Sequence, residues 1–146
     1  MRYVHKSISE GMNMYYGELI EKAKEARLRA YAPYSEFTVG AALLCRNGRI
    51  YTGCNIENAS YGATICAERT AIFKAVSEGE GDFEAIAIVG AASGAPIEFC
   101  PPCGMCRQVM TEFCDMDRFK IVLSNGSEER IYALKDMMPY SFDNLR

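Results

Sequence analysis

At 146 residues, 49% hydrophobic and 24% charged, the chain has the length and apolar content of one packed domain, which excludes a disordered or fibrous class. Sixteen Lys and Arg against 19 Asp and Glu leave a formal charge of −3, which argues against a surface that tracks duplex nucleic acid. No apolar run approaches the ~20 residues that span a bilayer, and Met1 to Ser7 lack the apolar stretch of a signal peptide, so a cytoplasmic protein with no nucleic-acid or membrane partner is expected.

Residues 1–14 read as a leader before a single domain at 15–146, with Met12 and Met14 offering alternative starts. From about Tyr15 to Tyr31, Leu19, Ile20, Ala23, Ala26, Leu28 and Ala30 recur at helical spacing among Glu, Lys and Arg. Ala32-Pro33-Tyr34-Ser35 ends that helix. Thr38 to Cys45 reads as a buried strand, Asn47-Gly48 as a hairpin turn, and Ile50 to Ile56 as the partner strand. A loop over 57–65 leads into a helix from Ala67 to Val76, closed by Gly79 to Gly81. Phe83 to Val89 is a third strand, and 91–100 is a loop of small residues. Gly104 to Phe113 is a further short helix, and Phe119 to Leu123 is a fourth strand. After an Asn125-Gly126 turn come a fifth strand, Glu129 to Tyr132, and a last helical turn, Leu134 to Met138. This alternation favours an α/β sheet covered on its faces.

Seven cysteines are an odd number, and in a reducing compartment cysteines serve metals or chemistry, or fill core space, more often than they pair. Cys45, Cys54 and Cys114 read as core filler. His5 is the only histidine, so a His-based triad or a His-rich metal site is not available.

Two blocks differ from the rest: Cys66-Ala67-Glu68, and Pro102-Cys103-Gly104-Met105-Cys106. Each stands where a loop enters an expected helix. Helix N-termini carry partial positive charge and free N–H groups, which favour the metal-binding thiolate. Three thiolates with one open position are the layout of a catalytic zinc, whose water is acidified towards hydroxide. Three negative ligands around a doubly charged metal weaken that acidification. Arg69 and Arg107 each follow a motif residue and are placed to donate hydrogen bonds to the sulfurs, restoring it. Glu68, beside such a water, can take its proton and deliver it to substrate. Without the cysteines it would read as an ordinary acidic residue in a first helical turn.

Zinc-dependent deaminases carry a His or Cys two residues before a Glu, followed later by Pro-Cys-x-x-Cys, and both blocks match that known signature. From about Tyr15 to Phe142 the chain resembles the small, homotetrameric cytidine deaminase family. The marks are Ala32-Pro33-Tyr34-Ser35-Glu36-Phe37-Thr38-Val39-Gly40-Ala41-Ala42, then Gly53-Cys54-Asn55-Ile56-Glu57-Asn58-Ala59-Ser60-Tyr61-Gly62, then Cys66-Ala67-Glu68-Arg69-Thr70-Ala71, then Pro102-Cys103-Gly104-Met105-Cys106-Arg107-Gln108-Val109.

The resemblance implies a three-layer α-β-α sandwich around a mixed, roughly five-stranded sheet. It implies one Zn2+ per subunit, and deamination of cytidine and 2′-deoxycytidine in pyrimidine salvage. In that chemistry zinc-bound hydroxide attacks C4 while Glu68 shuttles protons. It also implies a homotetramer with shared active sites. Asn55 and Glu57 resemble the pair that bonds the ribose 3′-hydroxyl, and Phe37 the residue that packs on the pyrimidine. The Ala67 amide would meet the base carbonyl, while Tyr61 and Phe142 would reach a neighbouring subunit's site. On spacing alone, Asn55 and Glu57 read as strand-end polar residues and Phe37 as core.

Pro101, Met105 and Cys100 depart from the family pattern. Cys100 opens a rival, a closed structural zinc site of Cys66, Cys100, Cys103 and Cys106, though Glu68 would then have no task. A deaminase of a modified cytosine nucleoside would share the same core, but Asn55-x-Glu57 favours an ordinary ribose or deoxyribose.

Overall fold

The computed structural model describes residues 10–143, with side chains from Tyr16 onward, so most of the expected leader and His5 lie outside the described residues. Helix α1 spans Glu10–Arg27 and opens earlier than the apolar periodicity suggests. It also closes four residues earlier than expected. Leu28, Arg29 and Ala30 donate their N–H groups to carbonyls three residues back, which tightens the chain out of the helix. Tyr31 then donates to the Asn55 carbonyl, so the segment before Pro33 is drawn to the sheet.

Strands β1 (Phe37–Cys45), β2 (Ile50–Cys54), β3 (Phe83–Ala92), β4 (Lys120–Ser124) and β5 (Glu129–Ala133) form one sheet in the order β2-β1-β3-β4-β5. The β1–β2, β1–β3 and β4–β5 pairs are antiparallel, whereas β3 and β4 run parallel. That parallel pair needs a crossover, and helix α3 (Gly104–Phe113) supplies it. Gly48, at φ +90, makes the expected hairpin turn between β1 and β2. Strand β2 stops at Cys54, two residues short of expectation. Asn55 still donates to the Val39 carbonyl, but Ile56 leaves to pair with Ile65. The chain closes a loop there that returns it to the start of α2 (Ala67–Ser77).

Alternate residues of the strands feed two cores. On one face Ala42, Leu44, Ala85, Ala87, Val89 and Val122 pack against α1 through Leu19, Ile20 and Ala23. On the other, Ala41, Leu43, Ile86, Ile88, Ile121 and Leu123 pack against α2, α3 and the short α4 (Leu134–Met137). The result is the α-β-α layering around a mixed five-stranded sheet that the resemblance implied. Among the described residues no helix is long and apolar enough to cross a membrane.

One close approach sets where α2 begins. A Cβ on Gly53 of β2 would lie 2.5 Å from the Ala67 carbonyl oxygen and 2.6 Å from the Ala71 nitrogen. Both are backbone atoms and cannot swing aside. Gly53→Ala therefore forces α2 off the sheet, and by ordinary overpacking costs lowers stability by about 2 kcal/mol. A denaturation midpoint equal to that of the unaltered protein would show that α2 shifts freely.

Candidate metal centre and substrate hollow

Two helix N-termini converge on one point. Cys66 is the N-cap residue of α2, in extended backbone at φ −75 and ψ 157. Cys103 holds the same position on α3, at φ −66 and ψ 165. Neither side chain caps its own helix, so both sulfurs are free to face elsewhere. Cys106 lies in the first turn of α3 and is fully buried. Cys66 Sγ stands 3.6 Å from Cys103 Sγ, which stands 3.5 Å from Cys106 Sγ, and all three lie within 4.8 Å of one another. Sulfurs held tetrahedrally by one zinc at about 2.3 Å stand about 3.8 Å apart, so the triangle fits that ion. The donor set, soft thiolates with one corner exposed at Cys103, fits it as well.

The electrostatics of the triangle are uneven. The neighbouring Cys106 thiol above all, with help from Arg69, lowers the Cys66 thiol to about 5. The same pairing with Cys66, together with burial, pushes the Cys106 thiol upward. Arg69 donates from a terminal guanidinium nitrogen to Cys66 Sγ at 3.3 Å, as expected of it. Arg107 is directed elsewhere and corrects the reading from position alone. Its Nε donates to the Pro102 carbonyl at 2.8 Å and a terminal nitrogen to the Met137 carbonyl at 3.0 Å. It fastens the loop before Cys103 to α4 rather than donating to sulfur. The neighbouring backbone carbonyls capture its planar fork first.

Glu68, the second residue of α2, is only 4% exposed. Burial pushes its carboxyl up to about 7, although the nearby Cys106 thiol pulls the other way. A carboxyl with this value exchanges a proton readily near neutral pH. Cys100 lies outside the sulfur triangle. Its Sγ packs over Gly90 of β3, 3.0 Å from where a Cβ would stand, and burial pushes its thiol up to about 12. The Phe37 ring presses on the same glycine, with Cε1 at 2.8 Å from that point. Only Cys66, Cys103 and Cys106 cluster as candidate ligands among the described residues, so the closed four-thiolate reading has no geometric support.

The remaining candidates gather where β1 begins and β2 ends. Asn55 Oδ1 accepts from Val39 N–H at 2.8 Å, and its Nδ2 donates to the Phe37 carbonyl at 2.9 Å. Glu57 accepts from Tyr34 N–H, Ser35 N–H and the Ser35 hydroxyl, and the hydroxyl above all holds its carboxyl below the usual range. Tyr34, Ser35, Glu57, Tyr61 and Thr64 line a shallow hollow of about 310 Å³. Tyr61 stands in a 3-10 turn, Tyr61–Ala63, 75% exposed, edge-on to Tyr34. Phe142 is also exposed, and Gln108 Nε2 of α3 ties its carbonyl at 2.7 Å. Ala67 opens α2, where helical N–H groups lack partners within the helix. Ser35 and Gln108 were not singled out from sequence, although both lie inside the family motifs.

A family model described as the cytidine and deoxycytidylate deaminase zinc-binding region matches residues 8–123. The chain belongs to that family. A cytidine deaminase of Halalkalibacterium halodurans is 52% identical over 126 residues, 85% of this chain and 91% of that one. One from Sporosarcina psychrophila is 57% identical over 98 residues, 67% and 69% of the two chains. Among solved structures, cytidine deaminase from Burkholderia pseudomallei superposes with a TM-score of 0.78 at 48% identity, covering 87% of this chain and 98% of its own. The Mycobacterium tuberculosis enzyme gives 0.74 at 39%, covering 88% and 98%. Zinc is therefore the metal of this family's sulfur triangle.

Arg69→Ala removes a donor to Cys66, and loss of such a support weakens metal holding about tenfold. Chelator competition measures this, and unchanged zinc affinity would refute the contact's importance. Glu68 also makes the metal-free protein sensitive to pH. Its folded value of about 7 lies above its ordinary 4.5, so the folded state keeps a proton that the unfolded chain releases. Stability contributed by Glu68 thus falls as pH rises across that window. Denaturant midpoints of metal-free Glu68→Gln should gain on those of the unaltered protein from pH 4.5 to 7 and then level off. Parallel curves would remove the buried carboxyl from the account.

Proposed function

We propose that this chain hydrolyses cytidine and 2′-deoxycytidine to uridine and 2′-deoxyuridine with release of ammonia, in pyrimidine nucleoside salvage. The observation that carries the proposal is a buried carboxyl of near-neutral affinity, Glu68, set against three converging sulfurs. Cys66, Cys103 and Cys106 hold the zinc. When bound, zinc acts as a Lewis acid that makes water acidic enough to ionise near pH 7.

Glu68 accepts the proton of the attacking water and passes it to N3 of the pyrimidine as the C4 centre becomes tetrahedral. It then takes the remaining proton from the C4 hydroxyl and delivers it to the leaving amine, and the C4–N bond breaks to give the C4 carbonyl and ammonia. Burial suits Glu68 to both directions of transfer, since its affinity lies close to the working pH. Arg69 draws charge from Cys66 and so keeps the metal acidic. Phe37 packs on the base, and the Ala67 amide meets the base carbonyl. Glu57, ionised and already accepting from Tyr34 and Ser35, accepts the ribose 3′-hydroxyl proton on a remaining lone pair. The second Asn55 Nδ2 hydrogen donates to the hydroxyl oxygen. Arg107 supports the Cys103 loop through its two carbonyl contacts.

The catalytic domain of this proposal spans 15–146, and the enzyme is a homotetramer whose sites are completed by Tyr61 and Phe142 of neighbouring copies. Their exposure, 75% and 69% in a single chain, supports such a use. Seven free thiols support a reducing compartment, the cytoplasm.

Cytidine mixed with the purified protein should lose near-ultraviolet absorbance with one ammonia released per turnover. No reaction with either cytidine or deoxycytidine refutes the substrate assignment. Glu68→Gln should keep its zinc while turnover falls by about 10²–10⁴. Loss of zinc as well would make Glu68 a structural residue. A stable, active monomer by mass measurement in solution would overturn the shared sites.

A further inference from the structure

The hydroxyl of Ser35 stands between two groups that the proposed function assigns to the nucleoside. Its Oγ lies 2.5 Å from Glu57 Oε2. The same oxygen accepts the Phe37 N–H at 3.1 Å. A serine hydroxyl has one proton to give. The Phe37 carbonyl, at 3.4 Å, competes for it weakly. The carboxylate takes it, because it is ionised and far closer. The lone pairs are then left for Phe37 N–H.

The backbone is shaped for this. Glu36 sits between Ser35 and Phe37 in the left-handed region at φ +56, which a non-glycine residue rarely adopts. The Glu36 carbonyl is pinned by Ser93 N–H at 2.8 Å. Beyond Phe37, Asn55 takes the carbonyl of that residue and the N–H of Val39. An unbroken hydrogen-bonded chain thus runs from Glu57 through Ser35 and Phe37 to Asn55.

We propose that Ser35 is a positioning residue that locks Glu57 and Phe37 into one unit, so that sugar recognition and ring packing are set together. Ser35 acts through Glu57 and does not touch the reacting atoms. This rests on the assignment of Glu57 and Phe37 to substrate made above. Substrate affinity therefore depends on Ser35, while the chemical step does not.

The test is a double-mutant cycle in cytidine kinetics on zinc-loaded protein. Loss of one charge-assisted hydrogen bond in Ser35→Ala should raise KM about tenfold and leave kcat within about twofold. Ser35→Thr, which keeps the hydroxyl, should return KM to its original value. Ser35→Cys keeps the volume without a strong donor and carries the same expectation as alanine if Ser35→Ala unfolds. In a Glu57→Gln background, Ser35→Ala should change KM by no more than about twofold, since its partner carboxylate is gone. If Glu57→Gln raises KM but Ser35→Ala is silent, or the two effects multiply independently, the inference falls alone. If Glu57→Gln leaves KM unchanged, the substrate assignment of Glu57 falls, and the inference falls with it.

Discussion

Two helices enter the same small volume by their N-termini, and three sulfurs fill the space between them. A helix N-terminus presents unpaired N–H groups and partial positive charge, so it tolerates thiolate where an apolar interior does not. Cys66 and Cys103 occupy the same cap position on α2 and α3, and Cys106 follows within one turn. Other features of the fold serve this meeting. Gly53 lets α2 lie directly on β2, and the parallel β3–β4 pair brings α3 to the same face.

The convergence also determines what Glu68 can be. Two residues past the Cys66 cap, at the second position of α2, its side chain turns inward and loses water. Burial raises its proton affinity towards neutrality, and the adjacent Cys66 thiolate pushes the same way. The carboxyl is tuned by its position at the foot of α2 rather than by a dedicated partner. Arg69, one residue further on, compensates the sulfur charge that burial would otherwise make costly.

A second constraint lies at the ends of β1 and β2. Strand β1 starts and β2 ends at the same edge, and the hydrogen bonds of Asn55 and Glu57 stitch the two ends together. The same residues that would read a sugar therefore also hold the backbone that carries Phe37. In the proposed function recognition and local folding share these groups, which is why the sequence alone could read Asn55 and Glu57 as strand-end polar residues.

The strands, the Asn47-Gly48 hairpin and the cysteine cluster were legible because each follows a local rule: a short apolar run bounded by turn signals, a residue that permits positive φ, or thiols at helix starts. Glu68 was legible through its spacing from Cys66. Spacing says which residues are near, but not where a long side chain goes. That is why Arg107 was assigned to sulfur although it reaches the Pro102 and Met137 carbonyls. The end of α1 was misjudged for a similar reason. Helical periodicity continued to Tyr31, while a long-range pairing with Asn55 claimed the backbone. Cys100 shows the limit most plainly. Three residues before Cys103, its thiol looked like a fourth ligand, and only the packing over Gly90 takes it away from the sulfur triangle. The sequence by itself determined the chemistry available, because residue type and spacing fix which groups can ionise or bind metal. Tertiary structure alone decided which groups meet, how deeply Glu68 is buried, and that the Ser35 hydroxyl joins Glu57 to Phe37, because proton affinity and hydrogen bonding depend on surroundings drawn from distant parts of the chain.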